Sequence, residues 1–144
     1  GSIAIVLAGA YPMVKFITKV FSKPLMRLGH LLGMGDVAAA GMIATLANNI
    51  PMFAMFKDMD NRGKVLNAAF AVSAAFTFGD HLGYTAGIGE QDLIFPMIVG
   101  KLVGGITAVA VAMLFAPKAD PSKKEAKVEE VPTAEEPAKE ALTE

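Results

Sequence analysis

Residues 65–86 read VLNAAFAVSAAFTFGDHLGYTA. The run is apolar and about long enough to cross a bilayer, which takes roughly 20 helical residues. Near its end stand two ionisable neighbours, Asp80 and His81. A charge at the bilayer centre costs about 2.5–3.5 kcal/mol on insertion scales. Inside membranes such residues serve ion paths, proton relays and polar-solute sites. Asp80 is suited to be the counter-ion of a cationic solute, and His81 to exchange protons near neutral pH. The plainer reading places both at the outer interface, because Asp80 lies about 10 Å of helix from the polar turn that follows.

Outward from this run, the chain divides into two materials. It is 53% hydrophobic and 19% charged overall. Residues 1–116 carry eight basic side chains (Lys15, Lys19, Lys23, Arg27, Lys57, Arg62, Lys64, Lys101) against six acids. Residues 117–144 carry five lysines against eight acids and almost no large apolar residue. The net charge of −1 therefore averages a membrane-like part and a polar tail, and indicates no partner. The tail's Pro, Glu, Lys and Ala content builds no core, so residues 117–144 are expected to be disordered.

Four apolar segments are expected, at about 3–22, 37–56, 65–86 and 93–116. The chain opens Gly-Ser and runs directly into IAIVLAGAYP, which reads as a piece beginning inside a larger protein. Lys15, Lys19, Lys23 and Arg27 recur at four, so they line one helix face. That stripe reads either as an amphipathic helix at an anionic membrane surface or as lysines snorkelling from an ordinary span.

The second segment, VAAAGMIATLANNIPMFAMF over 37–56, has a broken centre. Asn48 and Asn49 are adjacent and Pro51 follows. Proline lacks a donor, obstructs the carbonyl four residues back, and pushes its predecessor out of helical geometry. This predicts a discontinuous helix or re-entrant hairpin, of the kind that marks binding sites in secondary transporters. A Pro-kinked span with asparagines bonding a neighbour is the alternative.

Loop charges orient the chain. KDMDNRGK (57–64) and the start of the tail are basic, whereas the turn at 87–92 has no Lys or Arg. The positive-inside rule makes the third and fourth segments a hairpin with both ends cytoplasmic, and makes the second segment re-entrant if the 15–27 stripe is also cytoplasmic. Lys101 lies within the fourth segment, where it either snorkels or pairs with Asp80 across the hairpin. Asn67, Ala71, Ala74, Phe78 and His81 share one face of an unbroken third helix. Gly79, Gly83 and Gly87, like Gly100 and Gly104, recur at four as helix-contact surfaces. Asp36 is placed to cap the second segment.

Several chemistries are excluded. Without cysteine there is no disulfide, thiolate or Cys-based metal site. GxxxxGK[ST], GxSxG, HExxH and GxGxxG are absent, and DMDN at 58–61 is too short for an EF-hand. Basic positions are not interleaved with aromatics as a nucleic-acid platform requires. The chain is not read as an enzyme, and no cofactor is implied.

DVAAAG, TLANNIPMF, MDNRGKV and GDHLG, within 33–83, are together specific, and IFPMIVGKLVGGITA at 94–108 continues the pattern. The chain resembles the C-terminal portion of the bacterial ethanolamine utilization membrane protein family, EutH, over most of residues 3–116. The resemblance implies an all-α, polytopic protein of the bacterial inner membrane that admits ethanolamine; the tail is no feature of that family, and its cytoplasmic placement follows from the loop charges. Its partners would be ethanolamine, membrane lipid and the remaining helices of the parent protein. Ethanolamine is a small primary ammonium with a hydroxyl, so Asp80 with Phe78 or Tyr84 would suit the ammonium and Asn48 or Asn49 the hydroxyl. The expected substrate-binding set is Asp80, His81, Asn48, Asn49, Phe78 and Lys101. Transport would be facilitated or ion-coupled. A non-transporting membrane subunit whose tail recruits a soluble partner is the alternative function.

Overall fold

A computed structural model describes residues 16, 19–20, 23–24 and 26–118. Most of the first expected segment and the tail beyond Lys118 lie outside the described residues. Of the basic stripe, Lys19, Lys23 and Arg27 are described and exposed. All regular structure among the described residues is helical. Its main elements are α1 (Asp36–Ala47), α2 (Asn49–Met55), α3 (Asn61–Ala74), α4 (Asp80–Gly87) and α5 (Ile94–Phe115). Short 3-10 turns at Phe56–Asp58 and Gln91–Leu93 precede α3 and α5.

The break between α1 and α2 follows from Pro51. Asn48 makes the last helical bond of α1, its N–H donating to the Ala44 carbonyl at 2.9 Å. Its own backbone is extended (φ −158°, ψ 141°). Pro51 has no N–H for the Ala47 carbonyl four residues back, and its ring obstructs that carbonyl. Ile50 N–H turns instead to Asn48 Oδ1 at 2.8 Å. Asn48 thus closes one helix and caps the next, while Pro51 sits in the first turn of α2, where a missing donor costs nothing.

The chain then reverses. The Asp60 carboxylate accepts from Gly35 N–H and from Gly63 N–H, both at 3.0 Å. Residues 35 and 60 are therefore neighbours, and 36–60 is a helical hairpin whose two ends lie together. Asp60, and not Asp36, is the side chain that caps a helix here. Gly35 occupies the cap position of α1, and Asp36, inside the first turn, instead takes His30 Nε2.

Helix α3 starts beside those ends and runs alongside α1 in the same direction. Asn67 Nδ2 donates to Ala38 O at 2.8 Å and to Gly63 O at 2.9 Å. A Cβ at Gly63 would collide with Ala38, so a side chain there would push the two helices apart. Met34, Val37, Ala38, Met52, Met59, Leu66 and Val109 form the buried cluster between these elements.

The apolar run 65–86 is divided. Residues 75–79 leave helical geometry, so the single face proposed for Asn67, Ala71, Ala74, Phe78 and His81 ends at Ala74. After α4 and a turn, α5 returns antiparallel along α3. Ser73 Oγ donates to Lys101 O at 3.0 Å, and Ala74 and Phe70 lie against Gly105. At the far end, Arg62 donates to Leu32 O at 2.6 Å and to Pro117 O at 3.0 Å. Among the described residues, only Gln91–Phe115 is a helix long and apolar enough to cross a membrane. The 22 residues of α5 extend about 33 Å, against a hydrocarbon core of about 30 Å.

Candidate functional site: the crossing of two helix breaks

The two breaks meet. The hairpin tip, about 18 Å of α1 from its base, leaves the carbonyls of Thr45, Leu46 and Ala47 without their ordinary helical donors. The unwound residues of the other break take the first two of them. Phe76 N–H donates to Thr45 O at 3.1 Å, and Phe78 N–H donates to Leu46 O at 2.9 Å. Gly79 packs onto the Ala47 carbonyl so closely that a Cβ there would collide with it. Thr77, fully buried, donates its hydroxyl to Ala74 O at 2.6 Å and satisfies the end of α3. Irregular backbone at membrane depth persists only with such internal partners.

The crossing holds strain and unmet polarity. Phe76 is the single non-glycine residue with positive φ (58°) among those described. That conformation is unfavourable for a bulky side chain and persists only where surrounding contacts impose it. Its ring lies 5.5 Å from the His81 ring, tilted by 46°. Thr45 is fully buried and its hydroxyl oxygen has no hydrogen-bond partner. Asn49 Oδ1 is also buried without a partner. Such oxygens normally find donors, and each orphan costs about 1–3 kcal/mol.

The six expected residues divide by position. Asn48 and Asn49 stand at the hairpin tip, with the Asn48 oxygen already used as a cap. Phe78, half-buried, lies in the facing break, and Asp80 and His81 open α4 immediately after it, both exposed. Lys101 is half-buried on α5. No ion pair joins Lys101 to Asp80 among the described residues, whereas His30 Nε2 does meet Asp36. Sequence reasoning missed Thr45, Phe76 and Thr77. Pro51 carried a partial signal for the first, since it frees the end of the helix on which Thr45 sits. For the break at 75–79 no proline marks the place.

Residues 1–115 match the family described as Ethanolamine utilisation protein, EutH. The chain is similar to the probable ethanolamine permease EutH of Listeria monocytogenes, at 72% identity over 116 residues, covering 81% of this chain and 31% of that protein. It is similar to the protein of that name from Salmonella typhimurium at 60% identity over 129 residues (90% and 31% covered). The Escherichia coli protein of that name is 64% identical over 120 residues (83% and 29% covered). The chain thus spans under a third of the length of these relatives. No solved structure matches.

Proposed function

The chain belongs to the EutH family, and we propose from that membership that it forms part of an integral inner-membrane permease for ethanolamine, by facilitated or ion-coupled passage. The observation that carries this reading is the meeting of a helical hairpin tip with the unwound centre of a second helix, with buried oxygens at the junction left unpaired. Broken helices that meet near mid-membrane offer backbone and side-chain groups to a solute where continuous helices offer none. Asn49 and Phe78 would line the crossing, with Asn48 shaping the tip. Asp80 and His81 would stand beside it, Asp80 attracting the ammonium and His81 exchanging a proton if transport is proton-coupled. Lys101 would balance the charge of Asp80 from α5. The basic 57–64 loop and the start of the tail would face the cytoplasm.

Uptake of labelled ethanolamine by the full-length protein in liposomes, with and without a pH gradient, tests this. Accumulation above empty liposomes is expected. None would overturn the reading, and a gradient-independent rate would exclude proton coupling and with it the proton role of His81. Asp80→Asn is expected to lower uptake several-fold. Wild-type uptake in that variant would remove Asp80 from the site and leave the function standing.

A further inference from the structure

We infer that Thr45 and Asn49 form a neutral-oxygen subsite for the primary ammonium of the solute, inside the crossing and separate from the exposed Asp80–His81 pair. The inference rests on the transport reading above and deepens it. Three oxygens are buried and unpartnered among the described side chains: those of Thr45, Asn49 and Asn67. Asn67 has an ordinary explanation. Its amide nitrogen ties α3 to α1 through two carbonyls, and its oxygen faces Gly41, which the methionines Met52 and Met59 also border. Its polarity serves helix contact.

Thr45 and Asn49 differ because they flank the break itself. A backbone group beside each is met: Thr45 O takes Phe76 N–H, and Ile50 N–H, in the first turn of α2, takes the Asn48 side chain. These backbone groups are satisfied while the two side-chain oxygens are not. An asparagine Oδ1 only accepts, and a threonine hydroxyl oxygen has two lone pairs. The Asn49 oxygen lacks a donor, and the Thr45 hydroxyl, with no partner of either kind, has lone pairs free to accept one. A primary ammonium carries N–H donors in three directions and forms hydrogen bonds stronger than those of a neutral group. An alkali cation is the other source of the same chemistry, since half-helix ends and neutral oxygens also hold Na⁺. The ammonium is favoured because relatives of the family carry the name probable ethanolamine permease.

The test uses the full-length protein in liposomes. Thr45→Val keeps the shape and removes the oxygen; Thr45→Ser keeps the oxygen. Thr45→Val is expected to raise KM for ethanolamine about tenfold, the loss of one hydrogen bond to a charged group. It should also shrink the preference for ethanolamine over choline, which offers no N–H, by a similar factor. Thr45→Ser should restore both. Because the removed hydroxyl is unpaired in the empty protein, Thr45→Val should keep or raise Tm while reducing the Tm rise caused by a fixed concentration of added ethanolamine. A purely structural threonine would lower Tm and leave selectivity alone. Wild-type KM and selectivity in Thr45→Val overturn the subsite but not the transport function. Altered sodium dependence with unchanged KM overturns the ammonium assignment in favour of an alkali cation. Should Thr45→Val fail to purify as a monodisperse species, Asn49→Leu carries the same readouts. No uptake by the wild-type protein overturns the transport reading and the subsite with it.

Discussion

Single side chains at the two ends of the hairpin have opposite tasks. At its base Asp60 is a fully engaged carboxylate, 3% exposed, with one oxygen on Gly35 N–H and the other on Gly63 N–H. Asp60→Ala should remove a helix cap and strand a buried N–H, at a combined cost of about 2–4 kcal/mol. Asp60→Asn, which keeps one accepting oxygen, should cost less than half of that. Thermal unfolding of the full-length protein in detergent reads both. At the tip, Gly79 is held by contact with the Ala47 carbonyl. Gly79→Ala forces a methyl into backbone that cannot yield as a flexible side chain would. A loss of about 1–3 kcal/mol is expected, together with lower ethanolamine uptake, because the same contact seats the unwound segment on the end of α1. An unchanged Tm in Gly79→Ala would refute that contact.

At the scale of elements, the hairpin and the broken helix were unequally legible. Asn48-Asn49-Ile50-Pro51 announces its break through local chemistry: a missing donor, a steric clash, and a side chain able to cap. Pro51→Ala returns an N–H to the Ala47 carbonyl and removes the obstacle to one continuous helix. Hydrogen exchange at residues 50–52 should slow, and uptake should fall about tenfold as the tip is drawn into helix; faster exchange at 50–52 would contradict this. AlaAlaPheThrPheGly over 74–79 contains no such instruction. Its aromatic and small residues are ordinary in a membrane helix, and it unwinds because the donors it needs to release are taken by α1, about thirty residues earlier in the chain. Arg62 likewise acts between elements, bonding the carbonyls of Leu32 and Pro117. In Arg62→Ala, amide exchange at 116–118 should accelerate while the hairpin stays protected.

Across the whole molecule, the base of the hairpin, the start of α3 and the end of α5 are gathered at one end by Asp60 and Arg62. The turn at Ile88–Glu90 lies at the other end, beyond α4. In a cysteine-free full-length background, Asp58→Cys and Lys118→Cys should therefore react with a membrane-impermeant thiol reagent from the same side, and Glu90→Cys from the opposite side. Reaction of all three from one side would refute the arrangement. The outward face of α5 is strongly apolar, with Phe95, Ile106, Leu114 and Phe115 all largely exposed. Such a face suits lipid or the helices that make up the remaining two thirds of the related proteins.

What the sequence determined alone were the properties that depend on neighbours along the chain. They are the all-helical, membrane-like composition, the break at Asn48–Pro51, the antiparallel pairing of the last two apolar runs, and the motifs that carry the family resemblance. Asp80 and His81 were visible for the same reason, since a charge in an apolar run needs no partner to be noticed. Only the tertiary structure decided where the second break falls, that Asp60 ties the two ends of the hairpin together, and that Thr45 is buried with its hydroxyl unpaired. Whether a backbone donor stays within its own helix depends on which acceptor is nearer and free. At Phe76 and Phe78 that acceptor belongs to a helix end that Pro51 had exposed elsewhere in the chain.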